Sequence, residues 1–524
     1  MISALDAAAG AWRAASAFAS QMLRAVMGGA SAPGGQAMGP AWPGGGRAAM
    51  MPRVRRFRTT TVQGCGLYPF VVGGATPLEG VPLGPSLAGP GTVCADHLAW
   101  FEKRIISAPS AMVIGLNGLG KSTLIRRITL GLAHRGVHTM VLGDIKPDFV
   151  GVVEALGGQV VRIGHGLDGI NPLDAGNVAQ AALMLADHPT ERAALLQAAH
   201  ERKKNMIIAL LHIVRRAAPT DREEVIIDAA VRALEQRGGA PVLADLLGVI
   251  RDAPPELRAA ALDRGSRERY LAVTENLEAS LMSLLSGRLG RIFSAATTTP
   301  MMTDRSVVFD VSALGAEADE IQAAVLLATW SYGFATVEIS QVLADAGVAP
   351  RIHYNIVMDE LWRILRASSG MVDRIDSLTR LNRTVGVGQM MCTHSITDLD
   401  ALGSQADRIK ARGFLERSKL LFIGGVPPRE MAEISTVFRL SGHEQDLLRS
   451  WNASGALDPV SGRQVPPAGM GRFLLKTSDA PGWPFRIRLG VSERGVNDTN
   501  QRWDVAPLDA KAAEHDQEAP HGAA

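Results

Sequence analysis

Nine consecutive residues contain the side chains and glycines that bind nucleotide phosphates. They run from Gly115 to Thr123 and match the pattern G-x-x-x-x-G-K-[S/T] in full. Glycines let the backbone wrap around phosphates with its N–H groups pointing inward, Lys121 supplies positive charge, and the Ser122 hydroxyl coordinates Mg²⁺. ATP and Mg²⁺ are therefore the expected ligands. The predicted phosphate-binding set is Gly115, Asn117, Gly118, Leu119, Gly120, Lys121, Ser122 and Thr123.

A second element supplies carboxylates for the metal and for water. The apolar stretch 355–358 ends in Asp359 and Glu360. In an ATPase with a phosphate-binding loop, such an aspartate holds Mg²⁺ through water, and the adjacent glutamate polarises the attacking water. The pattern is common by itself. Beside a complete phosphate-binding loop, it predicts ATP hydrolysis rather than simple nucleotide sensing.

A third apolar stretch, 387–393, ends in polar residues that could sense the γ-phosphate. His394 and Thr393 are both candidates for this role. Polar residues are also common where any strand ends, so a purely structural role for both stays open.

Three arginines are candidates for an arginine finger, which stabilises charge on the nucleotide of a neighbouring subunit. Arg383 is preferred because it lies 24 residues after Asp359, between that strand and the next. Arg380 and Arg417 are the alternatives. The chain has 45 arginines, so an ordinary surface role for each of the three also stays open.

The run from Gly143 to Pro147 ends another apolar strand and contains Asp144 and Lys146. The end of a parallel strand is a frequent place for nucleotide or coupling chemistry. A simple turn explains the same residues equally well.

Strand and helix patterns indicate how these residues are held. Apolar strands alternate with helices over 111–163, and the alternation returns at 306–311 and continues to 423. This rhythm predicts an α/β fold with a parallel sheet and covering helices. The stretch between consists of long amphipathic helical runs, for example 191–214 and 257–285. The sheet is therefore expected to be interrupted by a helical insertion.

The expected domain boundaries follow from these changes in pattern. They are an N-terminal helix with a Gly/Pro linker over 1–58, a short β-rich segment packing on the motor over 59–110, the first motor part over 111–176, an all-helical insertion over 177–295, the second motor part over 296–495, and a polar disordered tail over 496–524.

Composition limits the possible partners and compartments. Lys and Arg total 54 against 52 Asp and Glu, a net charge of +2. This balance excludes a basic nucleic-acid coat, so any DNA contact is expected from a local arginine patch. Three cysteines without metal-ligand spacing favour a reducing cytoplasm. No run predicts a transmembrane helix or a signal peptide, which leaves membrane attachment to partner proteins.

The order of these motifs resembles the traffic ATPases of conjugative type IV secretion systems, the TraC-like, VirB-class members of the FtsK/HerA superfamily. The residues that carry the resemblance are the phosphate-binding loop, Asp144 with Lys146, Gly-Ile-Asn-Pro-Leu at 169–173, Met-Asp-Glu-Leu-Trp at 358–362, Arg-Leu-Asn-Arg at 380–383, and Cys-Thr-His-Ser-Ile-Thr-Asp-Leu at 392–399.

This resemblance implies a RecA-like motor that hydrolyses ATP and assembles as a ring, often a hexamer. It also implies that other channel subunits at the inner face of the membrane are its partners. The work of such a motor is channel or pilus assembly, or DNA transfer. Two other interpretations stay open: a cytosolic HerA-like DNA translocase, and a nucleotide-binding scaffold with little turnover.

The chain departs from the family pattern in two places. Relatives usually have Gln where His394 stands, although a neutral imidazole can still donate one hydrogen bond. TraC-like relatives usually carry a large N-terminal domain, whereas 114 residues precede Gly115 here.

Overall fold

The computed structural model describes residues 77–314, 319–359, 386–395, 405–453, 455–457, 464–477 and 480–497. The chain divides into two compact units, 1–74 and 75–524, and every described residue belongs to the second. Glu360, Arg380 and Arg383 lie outside the described residues. So do the expected N-terminal helix and linker, and nearly all of the expected C-terminal tail.

A nine-stranded sheet forms the centre of the described chain. Its strand order is β13-β12-β9-β3-β8-β7-β4-β6-β5. The strands are β3 (Ser110–Ile114), β4 (His138–Asp144), β5 (Gln159–Arg162), β6 (Val307–Asp310), β7 (Tyr354–Met358), β8 (Val387–Thr393), β9 (Leu420–Ile423), β12 (Arg472–Lys476) and β13 (Trp483–Arg486). The seven strands from β9 to β5 are parallel, and β12 and β13 extend the sheet antiparallel. The predicted α/β fold with a mostly parallel sheet is confirmed.

The central strands are mostly apolar and are buried along almost their whole length, because helices cover both faces of the sheet. On one face lies α2 (Lys121–His134), whose Ile125 and Ile128 pack in the same cluster as Val113 and Val357. On the other face lies α11 (Asp319–Asp345), almost entirely buried. The phosphate-binding loop therefore has rigid packing on both sides of its strand.

Seven helices separate β5 from β6, which are neighbours in the sheet. They are α4 (Val178–Met184), α5 (Pro189–Arg215), α6 (Asp221–Arg237), α7 (Leu243–Asp252), α8 (Pro255–Ala260), α9 (Arg267–Leu285) and α10 (Gly287–Phe293). The amphipathic pattern over 257–285 suggested one continuous helix, but the structure divides this stretch between α8 and α9. The chain breaks at 261–266, where Leu262, Arg264 and Gly265 adopt positive φ and Ser266 caps the next helix.

A hairpin and a short helix precede the phosphate-binding strand: β1 (Pro82–Pro85), β2 (Thr92–Cys94) and α1 (His97–Glu102). The hairpin joins the β13 edge, because Arg488 N–H donates to the Leu83 carbonyl at 3.0 Å. Sequence patterns predicted the short strands of this region but not α1. The Asp96 side chain caps α1 by accepting from Ala99 N–H at 2.6 Å.

The remaining elements close the described chain. They are α3 (Val150–Ala155), a 3₁₀ turn (Ser312–Leu314), α12 (Gln405–Arg417), α13 (Pro428–Val437), α14 (Gly442–Ser450), β10 (Ala456–Leu457), β11 (Gln464–Val465) and α15 (Val491–Val496). None of the helices within the described ranges combines the length and apolar character needed to cross a bilayer.

Candidate nucleotide-binding site

The predicted phosphate-binding loop joins β3 to α2 and has the backbone geometry that its glycines allow. Gly118 and Gly120 have φ of 77° and 97°, in the left-handed region that favours glycine. Gly120 is also the N-cap of α2 and has no side chain to occupy the first turn. The N–H groups of that turn lack carbonyl partners within the helix, so they are donors suited to phosphate oxygens.

Lys121 is held against its own loop. Its side chain is 6% exposed, and Nζ donates to the Gly115 carbonyl at 2.7 Å, the Leu116 carbonyl at 3.1 Å and Asn117 Oδ1 at 3.3 Å. The ammonium group is thereby kept over the loop, where a phosphate oxygen can take the place of a carbonyl. Ser122 and Thr123 follow on the half-exposed side of α2.

Two neighbouring segments brace the loop, and sequence reasoning missed both. Leu116 N–H donates to the Gly425 carbonyl at 2.9 Å, and Gly471 N–H donates to the Leu119 carbonyl at 2.9 Å. A Cβ on Gly115 would lie 3.2 Å from Gly424 Cα, so the close approach needs glycine. The available signal was the pair of glycines directly after the predicted strand 419–423.

The strand order brings the predicted acidic and sensing residues to the same edge of the sheet. β8 lies between β3 and β7, and Thr393 is in register with Ile114, the residue before the loop. Asp359 directly follows β7 and is half-buried. Carboxyl ends of parallel strands meet at one edge, which places Asp359 and Thr393 beside the phosphate-binding loop.

The two sensor candidates differ in their surroundings. Thr393 is buried, and its hydroxyl donates to the Ser395 carbonyl at 3.0 Å. Ser395 Oγ in turn donates to the buried Glu430 carboxylate at 2.6 Å. His394 lies between Thr393 and Ser395 in the sequence and is half-buried. Both candidates therefore lie at the same edge of the sheet as the phosphate-binding loop, and Glu430 anchors the turn that carries them.

Asp144 ends β4 and has a buried carboxylate, around which the following turn is folded. It is fully buried, and it accepts from Phe149 N–H at 2.7 Å and from Asp148 N–H at 3.2 Å. Burial raises its pKa well above the usual range, and the charges of Asp359 and Asp148 raise it further. Lys146, in contrast, is exposed on the loop.

Arg126, which sequence reasoning also missed, lies next to these acids. Its side chain is 2% exposed and donates to the Asp148 carbonyl at 2.6 Å. Burial lowers its pKa, and the charges of Asp148, Asp144 and Asp359 oppose that shift. The one available signal was its helical spacing, four residues after Ser122.

Arg417, an alternative arginine finger, lies at the other end of the phosphate-binding strand. Its carbonyl accepts from Ser110 Oγ at 2.7 Å, where β3 begins, and its guanidinium carbon is 5.0 Å from the centre of the Phe414 ring. It is therefore remote from the phosphate-binding loop of its own chain.

The run 169–173 connects the sheet to the helices of the insertion. Asn171 is buried, and its amide donates to the Pro241 carbonyl at 2.9 Å while its oxygen accepts from Leu173 N–H at 3.0 Å. Its backbone N–H also donates to Thr297 Oγ1 at 3.2 Å. This run therefore connects the start of the insertion by hydrogen bonds to its middle, at Pro241, and to the chain that follows it, at Thr297.

The donors present fit a magnesium nucleotide. The left-handed glycines and the first turn of α2 form a cradle of N–H donors, Lys121 adds a cation, and oxygen ligands stand at Ser122 and Asp359. Hydroxyl and carboxylate oxygens are the ligands that Mg²⁺ prefers.

Comparison with known proteins identifies the fold. No protein-family model and no curated protein matches the chain. Among solved structures, VirB4 of Thermoanaerobacter pseudethanolicus matches with a TM-score of 0.60 and 16% identity, covering 80% of this chain and all of that one. The chain shares the fold of VirB4. The resemblance to type IV secretion ATPases is thereby confirmed at the level of the fold.

A second similar structure is the plasmid coupling protein TrwB in complex with ADP and Mg²⁺. It matches with a TM-score of 0.43 and 13% identity, covering 73% of this chain and 86% of that one.

Proposed function

We propose that this chain is an ATP-hydrolysing motor of a type IV secretion or conjugation apparatus, which energises channel or pilus assembly, DNA transfer, or both. The observation that carries the proposal is the edge of the sheet where a complete phosphate-binding loop meets Asp359. The VirB4 fold supports the type of apparatus.

In this proposal each residue has a separate task. The loop N–H groups and Lys121 would bind the β- and γ-phosphates, and Ser122 and Asp359 would hold Mg²⁺. Bound Mg²⁺ supplies positive charge to the phosphate oxygens. Glu360 accepts a proton from the attacking water, and His394 or Thr393 donates a hydrogen bond to the γ-phosphate. The products are ADP and inorganic phosphate.

The proposal extends to assembly. A ring of identical chains, a hexamer in the expected form, would let Arg383 of one chain stabilise charge at the nucleotide of the next. The ring would act at the inner face of the membrane with other channel subunits. The domain boundaries expected from the sequence, including the helical insertion over 177–295, are part of this proposal.

The deciding experiment measures steady-state ATP hydrolysis together with particle size in each nucleotide state. The variants are Lys121→Ala, which should neither bind nor hydrolyse ATP well, and Glu360→Gln, which should bind ATP without turnover. Arg383→Ala should keep ATP binding and lose turnover. Equal hydrolysis by wild type and both of the first two variants would exclude the motor.

Adding single-stranded or duplex DNA tests the open alternative. Strong stimulation of the wild-type rate by DNA alone would favour a free DNA translocase. No hydrolysis by wild type, with intact nucleotide binding, would favour a scaffold.

A further inference from the structure

The buried guanidinium of Arg126 lies near a residue of its own helix, α2, and contacts two other parts of the molecule. Its Nη2 lies 3.4 Å from Thr123 Oγ1 at the start of α2, and its Nη1 donates to the Asp148 carbonyl at 2.6 Å. Its Nε donates to Asn497 Oδ1 at 2.7 Å. One side chain of the helix that follows the phosphate-binding loop therefore links the loop after β4 to the stretch 490–497, here named the C-terminal segment.

The contact with Asp148 leads directly to the acidic edge of the nucleotide site. Asp148 N–H and Phe149 N–H both donate to Asp144, so the loop after β4 is folded around that carboxylate. β4 and β7 run parallel with Val141 beside Val357, and the charge of Asp359, directly after β7, acts on both Asp144 and Arg126. Movement of Asp359 or of α2 on nucleotide binding would therefore act on Arg126.

The C-terminal segment has a second attachment to the same helix. Arg127, the next residue along α2, pairs with the Glu493 carboxylate and donates to the Pro82 carbonyl at 3.0 Å. These contacts of Arg127 lie away from Asp144, Asp148 and Thr123. Adjacent arginines thus hold one segment, but only Arg126 also reaches the acidic edge.

We propose that Arg126 is a positioning residue that couples the acidic edge of the nucleotide site to the C-terminal segment through Asn497. This inference rests on the proposed nucleotide-binding function and adds a route by which the state of the site reaches the surface. Coupling of this kind is reciprocal, so displacement of the C-terminal segment changes nucleotide affinity by the factor with which nucleotide changes its docking.

The test combines amide hydrogen exchange of residues 490–497 with ATP binding and turnover. In wild type, a magnesium complex of a non-hydrolysable ATP analogue should change exchange in this segment by about fivefold or more. Asn497→Ala and Arg126→Gln should still bind the analogue but lose that response, and their kcat should fall by about tenfold with a smaller change in KM. Arg126→Lys should recover part of both.

Arg127→Gln is the matched control. It removes the partner of Glu493 in the same segment, so basal exchange rises, but kcat and the response to nucleotide should persist. Asn497→Ala keeps the test valid if the buried Arg126 variants do not fold, because Asn497 is only half-buried.

The coupling is wrong if Asn497→Ala and Arg127→Gln behave alike, or if Asn497→Ala responds to nucleotide as wild type does. These outcomes leave the ATPase proposal intact. Absence of turnover in wild type would instead exclude the motor, while analogue binding and exchange would still decide the coupling.

Discussion

Two buried carboxylates, each near an arginine, lie at opposite ends of the same strands and differ in the charges around them. At the amino ends, Asp96 accepts from two backbone N–H groups and lies 3.3 Å from the Arg135 guanidinium. At the carboxyl ends, Asp144 also accepts from two backbone N–H groups, but its nearest charged neighbours include Asp148 and Asp359. Asp96 has a guanidinium beside it, whereas the carboxyl-end group sets three carboxylates, Asp144, Asp148 and Asp359, against the one guanidinium of Arg126. We propose that the first group serves stability and that the second serves ligand binding.

The largest effect of a substitution is expected at the carboxyl end, on ATP hydrolysis. Lys121→Met should reduce ATP hydrolysis by about 10³-fold, because it removes the cation that contacts the phosphates. Thermal unfolding should change little. The control is Lys103→Met at the amino end, an exposed lysine 3.9 Å from Glu79, whose loss should change neither property. Equal activity of the two variants would remove the distinction between the ends.

At the amino end the expected effect is on stability alone. Asp96→Ala should lower the free energy of unfolding by about 3 kcal/mol, because it removes the cap of α1, leaves Val81 N–H without its acceptor and leaves Arg135 with Glu102 alone. Urea unfolding measures this loss. ATP affinity of the folded fraction should match wild type, and a specific loss of affinity would contradict the structural assignment.

His97 beside Asp96 adds a dependence on pH. Burial lowers its pKa to about 4, although the charge of Asp96 opposes the shift. The unfolded chain therefore binds more protons between pH 4 and about 6.5, so stability falls as pH decreases through this range. We expect His97→Gln to remove about 2 kcal/mol of the stability difference between pH 7 and pH 5. Urea unfolding of both proteins at the two pH values measures it, and identical pH dependence would show that His97 is not buried neutral.

The smallest expected effect comes from replacing glycines that have positive φ. Comparison of two such replacements separates the cost of backbone strain from an effect on nucleotide binding. Gly471 has φ of 68° with no atom within 4 Å of the point that an added Cβ would occupy, and its N–H braces Leu119. Gly471→Ala should cost about 1 kcal/mol of stability from strain and also raise the KM for ATP. Gly347→Ala is the matched control, since Gly347 has φ of 72° and equal space but lies before β7 at the amino end. It should show the same strain with unchanged KM.

Features of the fold and the site could be predicted where a single continuous stretch of sequence contains the whole pattern. Strands such as β3 and β7 are continuous apolar runs, and the phosphate-binding loop is a contiguous motif, so both could be predicted from the sequence. The break at 261–266 could not, because the amphipathic pattern continues through residues whose backbone turns left-handed.

The supporting contacts of the site were out of reach for a different reason. Arg126 meets Asp148 and Asn497, and Leu119 meets Gly471, across hundreds of residues in most cases. Such pairs leave no periodic or spacing signal in a single sequence. Antiparallel β12 and β13 were missed as well, because each is a short strand without a flanking motif.

The position of β3 within the sheet has a consequence for how the chain is made. Its two neighbours, β8 and β9, begin about 270 and 300 residues after it ends. At synthesis rates of roughly 5–20 residues per second, the phosphate-binding strand waits on the order of 15 to 60 s on the ribosome before either partner exists. Its apolar residues, Met112 to Ile114, and its unpaired backbone groups are exposed to other chains during that interval. We therefore expect the newly synthesised protein to need chaperone protection at the strand that carries the phosphate-binding loop.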